Sequence, residues 1–182
     1  IVHVVSSRKN VLGLERAKAL GYEAEVLSRS PFIKNKQFDV ESYSQALAKL
    51  LEPHKPNLIV MAGFMTRLGR AMTEKFDILN IHPALLPMFG GEGFYGHHVH
   101  EAVLAAGVKL SGATVHFADA EYDRGPIVLQ KAVPVLDNDT PDSLAARVQE
   151  CERVIYPQAV KLYAQGRLLR EGNRVRILDS KI

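Results

Sequence analysis

The chain has 182 residues, 47% of them hydrophobic and 24% charged, with 23 basic against 20 acidic side chains for a formal charge of +3. That is the balance of an ordinary water-soluble domain, and the single cysteine, Cys151, excludes a disulfide-built scaffold and predicts a reducing, cytoplasmic setting. No apolar run approaches the roughly 18 to 20 residues of a membrane span, no leader pattern is read, and the small, scattered charge argues against nucleic acid or a membrane as partner.

Short apolar runs alternate with helical patterns. This predicts one α/β domain over 1–182, an open, mostly parallel twisted sheet with helices on both faces. Residues 1–5 (Ile1-Val2-His3-Val4-Val5) read as a strand already under way, so residues are expected ahead of Ile1. A helix over 11–20 is closed by Gly21, and a short strand follows over 23–27. Residues 38–51 place apolar side chains at helical spacing behind Asp39 as cap, and Pro53 and Pro56 end that helix. The apolar run 57–62 predicts a central strand buried on both faces.

A short helix is expected over 68–74, then a strand over 78–82 and a mobile glycine-rich loop with Gly90, Gly91, Gly93 and Gly96 before a helix over 97–106. Residues 111–118 alternate as a strand, while 127–130 and 133–136 read as two strands of a small hairpin. Thr140-Pro141-Asp142 starts a helix to about residue 164, with a kink or break expected at Pro157. Residues 167–178, turning at Glu171-Gly172-Asn173, predict a terminal hairpin.

Ligands of open α/β sheets bind beyond the carboxyl ends of strands, and three features fall there. Asn80 and His82 are two apart on a strand and share a face, a pairing suited to negative charge developing on a carbonyl oxygen; a polar strand end is the plainer reading. Asp123, in the loop before Gly125-Pro126, is placed to hold a histidine or simply to form a turn. Gln149 and Glu152 lie one helical turn apart, which by itself marks only a solvated face. His97, His98 and His100 lack the further partners a dedicated metal site needs, and Cys151 has no Cys-x-x-Cys partner.

Four motifs then occur in order: Ala62-Gly63-Phe64-Met65, Asn80-Ile81-His82-Pro83-Ala84-Leu85-Leu86-Pro87, Ser111-Gly112-Ala113-Thr114-Val115-His116-Phe117 and Tyr122-Asp123-Arg124-Gly125-Pro126-Ile127. Together they closely resemble the folate-dependent phosphoribosylglycinamide formyltransferases over essentially the whole chain. The resemblance implies a Rossmann-like formyltransferase fold and a transfer of formyl from 10-formyltetrahydrofolate to the amine of glycinamide ribonucleotide in purine synthesis. It implies no metal, only small-molecule partners, and a monomer or homodimer.

Carried over residue by residue, Asn80, His82 and Asp123 match the catalytic trio, with Asp123 expected to raise the pKa of His82. Met65, Thr66, Arg67, Leu68, Asn80, Asp119, Ala120, Glu121, Tyr122 and Asp123 match the folate-lining segments. Gly63, Met65, Pro83, Gln149, Glu150, Cys151 and Glu152 match those that hold the ribonucleotide, and His116 is expected to be structural. The family begins with a further strand and a phosphate-cradling Gly-Ser-Asn loop, so the chain is expected to be incomplete at its start. Where the family often has a basic residue near the folate, this chain has Val40, with Lys34 or Lys36 as substitutes. Two alternatives stand beside this. One is a formyltetrahydrofolate hydrolase, a relative with a second histidine in place of Pro83; the other is a non-catalytic folate-binding fragment.

Overall fold

The computed structural model describes residues 1–179, so the last three residues of the expected domain lie outside the described residues. The chain divides into two compact units, Ile1–Asp77 and Ile78–Ile182.

The first unit opens with β1 (Val4–Ser6), α1 (Leu12–Ala19) and β2 (Ala24–Val26), the two strands pairing in parallel as an α/β crossover requires. Gly21 takes φ 81° just past α1, the left-handed stop that the sequence predicts. Two very short strands, β3 (Ile33–Lys34) and β4 (Gln37–Phe38), pair antiparallel around Asn35 and Lys36, both at positive φ. That is a tight two-residue hairpin turn, too brief to appear in the hydrophobic pattern.

In α2 (Val40–Leu51), the Asp39 side chain accepts the Ser42 N–H at 3.0 Å, the predicted cap. The helix buries Tyr43, Leu47, Ala48 and Leu51, and burial pushes the Tyr43 hydroxyl up to about 12 while it donates to the Leu27 carbonyl. β5 (Ile59–Met61) is shorter than expected and is not buried on both faces. Val60 is 44% exposed, because no element among the described residues covers it. The four-residue α3 (Arg70–Thr73) persists because α2 caps it: the Gly69 N–H donates to Ser44 Oγ at 2.7 Å and the Ala71 N–H to Glu41 Oε1 at 3.0 Å.

In the second unit β6 (Ile78–His82), β7 (Leu110–Phe117) and β8 (Ile127–Pro134) pair antiparallel in that order, with α4 (His97–Ala105) between β6 and β7 in sequence. The expected small hairpin within 127–136 is one strand instead. Gln130, Lys131 and Ala132 are its exposed stretch rather than a turn, since β7 alone supplies its ladder partners.

The 24-residue α5 (Pro141–Ala164) starts on a reciprocal cap between Thr140 and Ser143. It continues through Pro157 without the expected break. A continuous buried stripe of Leu144, Val148, Cys151, Ile155, Ala159 and Leu162 outweighs the one hydrogen bond that proline deletes. The hairpin of β9 (Leu168–Glu171) and β10 (Arg174–Ile177) forms around Gly172 as predicted. The α/β class is borne out, with a parallel pair in the first unit and antiparallel pairs in both units. Among the described residues no helix is long and apolar enough to cross a membrane.

Candidate active site

The end of β6 fixes two of the expected residues. Asn80 pairs with His116 across the β6–β7 ladder and His82 with Thr114, so both histidines and Asn80 are held by backbone register. His82 is 3% exposed and His116 2%. The His116 Nδ1–H donates to the Phe117 carbonyl at 2.9 Å, which leaves Nε2 as an acceptor for the Asn80 Nδ2–H at 3.2 Å. His116 therefore does more than fill the core: it sets which way the Asn80 carboxamide faces.

Asp123 arrives on the loop between β7 and β8 with φ 55°, a left-handed conformation that Asp tolerates better than most residues. Its Oδ2 lies 3.4 Å from His82 Nδ1 and accepts the Gly91 N–H at 3.0 Å, and its Oδ1 lies 3.6 Å from His116 Nε2. Two glycines make this possible. A Cβ on Gly125 would stand 1.9 Å from the Phe117 carbonyl oxygen, and one on Gly90 would stand 2.4 Å from Leu86 Cδ2 and 3.2 Å from Asp123 Cβ.

The loop after Pro83 is pinned by one hydroxyl. Thr114 Oγ1 donates to the Ala84 carbonyl at 2.7 Å and accepts the Leu86 N–H at 3.0 Å, and Gln130 Nε2 donates to both Thr114 Oγ1 and the Leu86 carbonyl. That anchoring carries Phe89 onto His82, whose Nε2–H donates to the Phe89 carbonyl at 2.7 Å. Phe89, Gly91 and Thr114 were not legible as partners, because each acts through backbone or through a buried hydroxyl.

Asp123 does raise the pKa of His82, as expected, but it does not set the net outcome. Burial pushes His82 below its ordinary pKa of 6.5, and this outweighs the opposing pull of the Asp123 charge and the Phe89 carbonyl. Burial also raises Asp123. The nearness of His116 and His82 and the hydrogen bond from the Gly91 N–H together outweigh that, so the carboxyl ends below its ordinary value. The resting site is thus a neutral imidazole beside an ionised carboxylate.

The second unit also holds the other expected loop and helix residues. Asp119 Oδ1 accepts the Glu121 N–H at 2.9 Å, folding the loop, with Asp119 and Ala120 half-buried and Glu121 and Tyr122 exposed. Pro83 is half-buried. A cavity of 670 Å³, within the range of small-molecule sites, is lined by Leu86, Pro87, Tyr122, Asp123 and Ile127 among others. On α5, Gln149 is exposed and Glu150 pairs with Arg153, while Glu152 is half-buried and its carboxyl is raised by that burial. Cys151 turns inward and donates to the Lys131 carbonyl, its thiol pushed up by burial.

In the first unit, Gly63 takes φ 65° and Met65 and Arg67 are exposed, while Thr66 and Leu68 are buried. Val40 is half-buried at the start of α2, with Lys34 and Lys36 exposed on the small hairpin before it.

Residues 1–160 match the formyl transferase family. The chain is 37% identical over 183 residues to the chloroplastic phosphoribosylglycinamide formyltransferase of Arabidopsis thaliana, covering all of this chain and 61% of that protein. It is also 37% identical to the Escherichia coli K12 phosphoribosylglycinamide formyltransferase, over 93% of this chain and 76% of that one. Among solved structures, glycinamide ribonucleotide transformylase 1 from Symbiobacterium toebii superposes with a TM-score of 0.87 at 41% identity, covering 98% of this chain and 81% of the other. The Rossmann-like fold of those structures is therefore the fold of this one, and the chain belongs to the formyl transferase family.

Proposed function

We propose that the protein transfers the formyl group of 10-formyltetrahydrofolate to the amine of glycinamide ribonucleotide, a step of purine synthesis, in the cytoplasm. The observation that supports this most is the convergence of Asn80, His82 and Asp123 with His116 behind them, in a chain whose relatives carry that enzyme's name.

The folate supplies the formyl group as an electrophilic carbonyl carbon. Attack by the acceptor amine drives negative charge onto the formyl oxygen. Asn80 donates an amide N–H to that oxygen, oriented by His116, and His82 donates its Nε2–H once the Phe89 carbonyl is released. A neutral imidazole serves here, because an N–H donor placed in a dry site needs no full charge to stabilise an oxyanion. As the amine sheds a proton, the ionised Asp123 and the Nδ1 of His82 are the acceptors within reach of each other, directly or through water. The departing nitrogen of the folate regains one proton, so the exchange balances without a net change.

The resemblance divides the residues between the two ligands. In the second unit the loop with Asp119, Ala120, Glu121, Tyr122 and Asp123 is assigned to the folate, and in the first unit the segment with Met65, Thr66, Arg67 and Leu68 carries the same assignment. The ribonucleotide is assigned Pro83 and the α5 residues Gln149, Glu150, Cys151 and Glu152 in the second unit, with Cys151 supporting the helix from below, and Gly63 and Met65 in the first. The deciding experiment follows formyl release from 10-formyltetrahydrofolate spectroscopically, with and without glycinamide ribonucleotide. Release that requires the ribonucleotide is the expected result. Release into water alone would replace the proposal with the hydrolase, and binding without release would replace it with the non-catalytic reading.

A further inference from the structure

His3, Glu25 and His54 meet in the first unit, and the proposed reaction uses none of them. The parallel register of β1 and β2 sets Val5 beside Glu25, and the Val4 N–H continues the ladder to the Glu23 carbonyl. Alternate residues of paired strands share a face, so His3 stands on the same side as Glu23 and Glu25. Its Nε2 lies 2.6 Å from Glu25 Oε1. Its Nδ1 is buried with no hydrogen-bond partner, 3.7 Å from Glu23 Oε2, in a side chain only 7% exposed. His54, in the turn after α2, stacks on it with ring centroids 3.9 Å apart and planes 16° from parallel.

We propose that these three residues form a binding site for a divalent transition-metal ion of the zinc class, with two imidazole nitrogens and one carboxylate oxygen as ligands. One ligand atom from each of His3, Glu25 and His54 lies within 4.8 Å of the other two. An ion at their centre stands about 3 Å or less from each, so small side-chain rotations close the gap to the roughly 2.0 to 2.2 Å of zinc–nitrogen and zinc–oxygen bonds. The near-parallel rings must tilt, since each nitrogen lone pair lies in its own ring plane. Mixed imidazole and carboxylate donors select this ion class over calcium or magnesium, which take oxygen. A water completes the fourth position.

Such an ion would tie the lead-in of β1, the strand β2 and the turn after α2 to one point. It would therefore stabilise the first unit in proportion to its occupancy. A zinc-dependent rise in stability therefore separates this site from the His3–Glu25 hydrogen bond alone, which no ion strengthens.

The test uses the whole chain, stripped with a chelator and titrated with Zn²⁺ alone against a chromophoric competitor, with thermal unfolding in parallel. One ion per chain and a rise in Tm are expected. Glu25→Gln, at an exposed position, and His54→Ala should each weaken zinc at least about tenfold and abolish the rise in Tm. A His97→Ala/His98→Ala double variant, which removes two exposed imidazoles of α4, should keep both. No stoichiometric zinc, or zinc whose affinity survives Glu25→Gln and His54→Ala, overturns the proposal. An ion held instead at His82 and Asp123 would give that second result together with loss of turnover. Should His54→Ala lower Tm without zinc, Glu25→Gln alone decides.

Discussion

His82 donates its Nε2–H to the backbone carbonyl of Phe89 at 2.7 Å. A carbonyl oxygen only accepts, so the proton sits on Nε2, and the same donor that the proposed reaction needs is committed to the chain itself. The bond must open as the formyl oxygen takes the place of the Phe89 carbonyl, which makes the interaction stronger in the transition state than in the resting enzyme. His82→Ala is therefore expected to lower kcat by on the order of 100-fold or more while changing the Kd for the folate much less. Steady-state kinetics and equilibrium binding measured on one preparation check this; a loss confined to KM would mean that His82 only positions the ligand.

The loop that delivers Asp123 depends on a residue with no side chain. Any Cβ at Gly125 collides with the Phe117 carbonyl oxygen, a backbone atom inside β7 that cannot swing aside. Gly125→Ala should cost about 1 to 3 kcal/mol in urea unfolding, as overpacking does, and should displace Asp123 from His82. Turnover is expected to fall further than the stability loss accounts for. Normal kinetics in a folded Gly125→Ala protein would show that the loop has room the structure does not indicate.

How much of this was written in the sequence depends on which atoms do the work. Asn80 and His82 were legible because strand periodicity alone puts them on one face, and the caps at Asp39 and Thr140 were legible because side-chain oxygens before a helical pattern have few other uses. Asp123 was legible as a turn residue, and resemblance gave it a role. The orienting work of His116 was not, since it rests on which tautomer the Phe117 carbonyl selects across a β-ladder. The Asp123 contribution to His82 was legible, but the net direction was not, for a similar reason. A neighbouring charge can be named from sequence, but the burial that outweighs it comes only from packing.

Thr114 offers a test of how tightly the site's floor is built. Its hydroxyl serves the Ala84 carbonyl, the Leu86 N–H and the Gln130 amide at once, and it is fully buried. Thr114→Val keeps the shape and removes all three partners, leaving buried backbone groups unpaired at a cost of about 1 to 3 kcal/mol. Because the freed segment leads to Phe89, kcat should fall as well. Thr114→Ser, which retains the hydroxyl, should restore most of the rate, an outcome that simple loss of packing would not produce.

The His82–Asp123 pair makes the pH behaviour predictable in sign. In the folded protein His82 titrates below 6.5, because burial disfavours the cation more than Asp123 favours it. The unfolded chain therefore binds more protons between that lowered value and 6.5. His82 contributes stability above 6.5, and the contribution is lost as pH falls through the folded value. Asp123→Asn removes the charge that partly offsets burial, so the His82 imidazole should titrate lower still. Following the His82 ring proton by NMR from neutral to acid pH, in the parent and in Asp123→Asn, reads this directly, without interference from the loss of the Asp123 titration. A midpoint above 6.5 in the parent would mean that the carboxylate rather than burial governs the histidine, and that the resting site holds an imidazolium after all.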